Sequence, residues 1–291
     1  MLKLKCCGLT VDLELLHGDY FRERFREYAD GHSGRPDLIC VSHLAAELSA
    51  PEGKEKRLDP FKKCVTLEDG TICSVSNNPE GETTFIFRVS PDASRAEMWF
   101  RENYTYRYST RTAIEYRYSC NAFCDRLALE GDMVLHGAAI GFRGKGVVFS
   151  ARPGVGKSTQ ASLWEKLWPK ETVKINEDRP AVCFPGGVPT LCGIPWSGSD
   201  PVNRDISLPM GALVLIRRGG VPRIERLRPA DVFAPVYREL CVSHYNKRAA
   251  EAVYDALGRL LEKTPVYMLD CTMGEETPRL ALEAFEKDGI V

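Results

Sequence analysis

Apolar and polar positions along this chain follow a pattern that changes near Gly131. Before it, Thr83-Thr84-Phe85-Ile86-Phe87-Arg88-Val89 and Glu97-Met98-Trp99-Phe100, within the strand-like stretch from Gly81 to Tyr108, are separated by the turn residues Ser90-Pro91-Asp92. A second turn cluster, Asn77-Asn78-Pro79-Glu80-Gly81, precedes them. That alternation predicts an antiparallel meander. Upstream, Leu13 to Ala29 has helical spacing, and Pro36 to His43 reads as a short buried strand. From Ser109 to Leu129, the residues Ala113, Tyr116, Cys120, Phe123 and Leu127 recur at three- and four-residue steps. They predict a core-packing helix that leads into the next domain.

After Gly131, short apolar runs alternate with helical patterns. Val134 to Ile140, Gly146 to Ser150, Val173 to Ile175, Ala181 to Phe184, Gly211 to Ile216 and Val266 to Leu269 read as strands. Helices are predicted from Lys157 through Leu163 and Trp168, and over Ala230 to Ser243, Arg248 to Glu262 and Glu276 to Lys287. This order fits a layered α/β core. Two domains follow: residues 1–107, α+β with an antiparallel sheet and a candidate for substrate or partner recognition, and residues 108–291, which hold the chemistry.

Composition narrows the function. The chain has 291 residues, 44% apolar and 27% charged, enough for a substantial core. Lys and Arg number 39 against 40 Asp and Glu, so no global field draws it to nucleic acid or an anionic membrane. Neither partner is expected, and any anion must be held by a local site. The start, Met1 to Cys7, lacks the form of a secretory signal, and no apolar run approaches the length of a membrane span. A cytoplasmic location is the expectation. Eleven cysteines occur without a Cys-x-x-Cys pair, so they read as small buried residues in a reducing compartment rather than a zinc site.

The chemistry concentrates in Phe149-Ser150-Ala151-Arg152-Pro153-Gly154-Val155-Gly156-Lys157-Ser158-Thr159, read as strand, loop and helix start. Gly154 and Gly156 let successive N–H groups converge, and those amides with the helix N-terminus attract phosphate oxygens. The segment Arg152 to Thr159 is therefore the candidate binding loop for a nucleoside triphosphate. Lys157 can reach its β- and γ-phosphates, and the Ser158 hydroxyl is placed for Mg2+. Ala151 stands where the strict pattern has glycine, at a position that tolerates a small side chain. The competing reading is a plain turn with Ser158 or Thr159 as helix cap; it requires neither the lysine nor the paired glycines.

About twenty residues on comes Lys174-Ile175-Asn176-Glu177-Asp178-Arg179-Pro180. Two carboxylates at a strand end supply what a Mg-nucleotide site needs as its second half: one for the metal, one to accept a hydroxyl proton. A solvated Glu-Asp turn is the alternative. His136 lies in the apolar run before the loop, either as a satisfied core histidine or as a group near the phosphates. Arg217, Arg218, Arg223, Arg226 and Arg228 surround a predicted hairpin and read as a solvated edge or as phosphate contacts.

Taken together, these residues resemble a known family. The loop, the following Asn176-Glu177-Asp178-Arg179 and the preceding Leu135-His136-Gly137-Ala138 look like the catalytic domain of HPr kinase/phosphorylase-like proteins, which share a core with ATP-dependent phosphoenolpyruvate carboxykinases. Cys192 to Gly198 and Pro265 to Cys271 resemble stretches of the smaller, stand-alone members. The resemblance spans about residues 130 to 285. It implies an α/β fold with a carboxykinase-like mixed-sheet core, and ATP- and Mg2+-dependent phosphorylation of a hydroxyl. By the same resemblance Asp178 falls at the metal, Glu177 faces the acceptor hydroxyl as base, and His136 matches the family histidine near the phosphates. The family usually has Asp-Asp, so Glu177 is a departure. Residues 1–107 do not resemble the family's usual amino-terminal domain, and HPr is not expected as the substrate. Relatives of the small kind imply a peptide seryl hydroxyl or a small-molecule alcohol as acceptor. The alternatives are a non-catalytic nucleotide-binding regulatory module and carboxykinase chemistry on a small acid. The nucleotide base and any homo-oligomer stay open.

Overall fold

In the computed structural model all residues are described except 107, 108, 199, 200, 244 and 245. Packing divides the chain into two compact units: Met1–Glu130 with Val242–Ala250, and Gly131–Cys241 with Glu251–Val291. The sequence-read boundary at 107/108 lies outside the described residues.

The first unit carries one eight-stranded sheet. Its strands are β1 (Leu2–Cys6), β2 (Leu9–Glu14), β3 (Leu38–Ala45), β4 (Lys54–Asp59), β5 (Lys62–Thr66), β6 (Ile72–Asn77), β7 (Thr83–Val89) and β8 (Arg95–Arg101), in the order β1-β2-β3-β8-β7-β6-β5-β4. The strands β7 and β8 are antiparallel, as the alternation predicted, and the antiparallel pairing extends back through β6 and β5 to β4. The sheet as a whole is mixed, because β3 pairs parallel with both β2 and β8. A crossover from β2, rather than a hairpin, brings β3 into place.

Helix expected over Leu13 to Ala29 is confined to α1 (Gly18–Arg24) and a 3-10 turn at Arg26–Tyr28. Leu13 instead pairs with Leu2 across a tight hairpin turned by Cys7 and Gly8, both at positive φ. Helix α2 (Arg111–Leu129) begins where Thr110 Oγ1 accepts the Ala113 N–H at 3.1 Å. It belongs with this unit: its buried Glu115 accepts the Leu16 N–H at 2.7 Å and faces His17 Nδ1 at 2.6 Å.

Nine strands form the sheet of the second unit: β9 (Met133–Val134), β10 (Gly137–Phe142), β11 (Lys145–Ser150), β12 (Thr172–Asn176), β13 (Ala181–Cys183), β14 (Thr190–Cys192), β15 (Ser207–Arg218), β16 (Arg223–Leu227) and β17 (Val266–Cys271). Its helices are α3 (Lys157–Leu167), α4 (Pro229–Tyr237) and α6 (Glu276–Lys287), and α5 (Lys247–Lys263) carries most of its length here. Parallel pairs β11–β15 and β15–β17 sit among antiparallel ones. The protein is thus α/β with mixed sheets.

Three readings are corrected here. The run Val134 to Ile140 is not one strand; it breaks at Leu135-His136, with β9 on β13 and β10 on β11 and β12. The arginine-rich hairpin does not form, because β17 lies between β15 and β16 and pairs with both. The helix expected through Ser243 ends at Tyr237, after which the chain extends so that Glu239 O accepts the His136 N–H at 2.7 Å and Cys241 donates to Val134 O at 2.9 Å.

The core behind the future site is aromatic. Trp164 of α3 is fully buried, edge-on to Phe142 at 4.8 Å and stacked on Phe285 of α6 at 5.8 Å. Such rings contribute large buried area, and they hold α3 with its N-terminus at the end of β11. Among the described residues no helix is long and apolar enough to cross a membrane.

Candidate functional site

β11 ends at Ser150, whose hydroxyl donates to the His136 carbonyl at 2.9 Å, so the break between β9 and β10 is tied to the start of the loop. The backbone then turns through Gly154 at φ +78° and Gly156 at φ +123°, the left-handed region where a side chain is strained. Helix α3 starts at Lys157 with Gly156 as cap residue and no side chain accepting from its first turn. Neither Ser158 nor Thr159 acts as the cap that the plain-turn reading required. A helix start without a side-chain acceptor presents its first N–H groups outward.

Lys157 is only 8% exposed. Its ammonium donates to the Ala151 carbonyl at 2.8 Å, closing the loop upon itself. Burial pulls its pKa below the ordinary lysine value, while the charges of Asp178 and Glu239 oppose that shift. The two carboxylates are therefore the negative charges that Lys157 feels most.

Asp178 owes its place to Asn176. That amide is fully buried at the end of β12, and its Nδ2 donates to the carbonyls of Ile194 and Trp196 at 3.0 and 2.9 Å. Its Oδ1 accepts the N–H groups of Asp178 and Arg179 at 3.0 and 2.7 Å. All of its bonding capacity is used to join the acidic turn to the Gly193-to-Gly198 segment. Gly198 makes a close approach there, since a Cβ would stand 3.2 Å from Asp178 Cβ. The adjacent Gly137 N–H donates to Asp178 O at 2.9 Å.

His136 bridges the carboxylates. Its Nδ1 lies 3.1 Å from Glu239 Oε2, and its Nε2 lies 3.5 Å from Asp178 Oδ1. Asp178 Oδ2 also receives Arg179 Nε at 3.2 Å. His136, Asp178 and Glu239 thus form one group, whose carboxylates bear on the charge of Lys157.

Glu177 is placed differently. It is 7% exposed and ion-paired to Lys174 at 2.8 Å, and Lys174 in turn donates to Ser162 Oγ at 2.9 Å on the flank of α3. Through Lys174 it is tied towards α3 rather than to the His136 group.

Of the arginine stretch, Arg217 pairs with Asp270, Arg223 with Glu225, Arg226 with Asp288 and Arg228 with Asp231. Arg218 alone of the five reaches the loop, donating to Gly154 O at 2.5 Å. Beside it opens a cleft of about 640 Å3, bordered by Ala151 to Val155, Leu215, Ile216, Arg218, Glu239 and Met268. Its size suits a nucleotide-sized ligand.

Asn176 and Arg218 lie in stretches already read as candidate site segments, whereas Glu239 was not legible as a site member. Asn176 carried a local signal, an Asn at a strand end before a turn. Arg218 was submerged in a basic stretch. Glu239, 103 residues from His136, has no motif around it.

No protein-family model and no curated protein matches the chain. Among solved structures, an HPr(Ser) kinase/phosphatase from Coxiella burnetii is similar with a TM-score of 0.33 and 6% identity, over 54% of this chain and 98% of that one.

Proposed function

We propose that this protein is a Mg2+- and ATP-dependent phosphotransferase that moves the γ-phosphoryl group to a hydroxyl, a peptide serine or a small alcohol. The observation that carries the reading is a helix start with no side-chain cap, set behind a glycine loop whose buried lysine donates back to the loop and lies in the field of two carboxylates. The amides of the loop and of the helix start, Arg152 to Thr159, receive the phosphates. Lys157 exchanges the Ala151 carbonyl for a β- or γ-phosphate oxygen and stabilises charge that develops as the phosphoryl group leaves.

The donor set fits Mg2+, which takes hard oxygen ligands: the Ser158 hydroxyl and the Asp178 carboxylate would hold it. When bound, the ion neutralises phosphate charge.

For the proton, His136 is the better placed base: the tautomer that donates Nδ1–H to Glu239 leaves Nε2 as acceptor, with Asp178 turned to Mg2+. The acceptor O–H gives its proton to Nε2 as its oxygen bonds the γ-phosphorus, and the bond to the bridging oxygen breaks with the electron pair leaving on ADP. Glu177, the base implied by family resemblance, would first have to leave Lys174. That same ion pair favours a second reading, a nucleotide-binding module without turnover.

Calorimetry with Mg2+ and a non-hydrolysable triphosphate tests binding, and release of labelled γ-phosphate onto seryl peptides and alcohols tests transfer. Absence of heat for every triphosphate overturns both readings; binding without transfer leaves the module. In a protein that transfers, Glu177→Gln at full rate with His136→Ala inactive supports histidine as base.

A further inference from the structure

The first unit holds a pocket of about 380 Å3 that takes no part in the site above. It is bordered by five aromatic rings, Phe61, Phe85, Tyr104, Tyr106 and Tyr118. The rings support one another: Tyr118 is 4.8 Å from Phe85, and Tyr104 meets Tyr106 edge-on at 5.0 Å. The Tyr106 hydroxyl is already committed, donating to the Thr84 carbonyl at 2.7 Å. Phe61, at the turn between β4 and β5, stays 50% exposed, where an apolar ring costs hydration unless something covers it.

Among the described residues, two cations, Lys62 and Arg117, also line it. Among the described residues neither has a carboxylate within ion-pair distance, unlike Arg22, Arg95, Arg101 and Arg217. A cage of rings alone would suit a cation; with two positive charges in the lining it selects the opposite. Aromatic faces want another ring, and the lysine and arginine want an anion, the arginine in a bidentate fork.

We infer that this pocket binds an aromatic ring joined to or flanked by a carboxylate. The ligand is a free aryl carboxylic acid or an acidic-aromatic residue pair of a peptide; the chemistry is shared and the volume admits either. The site needs no nucleotide.

The test uses the full chain and two probes, 3-phenylpropanoate and an acetylated Glu-Phe-Glu tripeptide amide, titrated by calorimetry at low salt. Saturable binding of either is expected, and which one binds tells the free acid from the peptide. Arg117→Glu and Phe61→Ala, both at exposed positions, should each weaken binding by about ten-fold or more, whereas Arg117→Lys retains most of it and Lys157→Ala all of it. Unchanged melting temperatures show that the variants fold. No saturable binding of either probe, or undiminished binding in both Arg117→Glu and Phe61→Ala, overturns the inference.

Discussion

The ammonium of Lys157 donates to the carbonyl of Ala151, 2.8 Å away and six residues earlier in the same loop. Under the proposed function, phosphate binding must exchange this partner for another. Replacing a neutral carbonyl by a phosphate oxygen strengthens the bond, since charge-assisted contacts are roughly twice as strong. Lys157→Met should leave the fold intact and cut phosphoryl transfer by about two to three orders of magnitude, the scale of losing one preorganised group at a developing charge. Labelled-phosphate transfer measures it; a rate within a factor of about two of wild type would contradict the assigned role.

Asn176 joins the acidic turn to the Ile194–Trp196 segment by four hydrogen bonds. Asn176→Ala strands two carbonyls and two N–H groups in the interior. We expect a loss of about 2–4 kcal/mol in stability and weaker Mg2+-dependent nucleotide binding, read by denaturant titration and calorimetry. Retention of both would mean that water replaces the amide.

Gly137 lies where strands β10 and β11 come closest beside the site. A Cβ there would meet Val148 Cγ1 at 2.7 Å and the Phe149 carbonyl at 3.0 Å. The Gly137→Ala protein should lose about 1–3 kcal/mol by overpacking, and because Gly137 N–H holds Asp178 O, its nucleotide affinity should fall as well. Thermal melting and calorimetry check the two effects together.

Asp125 supplies a pH dependence within the first unit. Burial pushes its carboxyl up to about 7 from 3.8, opposed by the Ser243 N–H it accepts. Since the folded value lies above the unfolded one, the stabilisation of the protonated form is complete below the unfolded pKa and is lost as pH rises through the folded one. Asp125→Asn, which mimics the neutral acid in shape, should flatten that part of the profile. Its melting temperature relative to wild type should climb between about pH 4 and 8; a constant difference would refute it.

How much of this could be read from the chain alone depended on how local the cause was. Gly154, Gly156 and Lys157 declare themselves because each residue type is dictated by its own backbone turn or charge, and α6 begins and ends where its periodicity said. Strand β4 gave no apolar alternation, since five of its six residues are exposed, so only its partner reveals it. The break at His136 and the approach of Glu239 depend on a segment folding back from beyond α4; no spacing rule reports such a distant neighbour. Glu177 was legible as an acid but not as the partner of Lys174, because pairing depends on which face of the strand end it leaves from.

The interleaving of β17 between β15 and β16 has a consequence during synthesis. Arg223–Leu227 emerges from the ribosome long before the strand it must pair with, so the nascent sheet keeps an open flank at Leu213–Arg218 until Val266–Cys271 arrives. Until then the growing chain offers any neighbouring polypeptide an unfilled slot beside its central strand, and a premature stop ahead of Val266 would leave that slot permanently vacant.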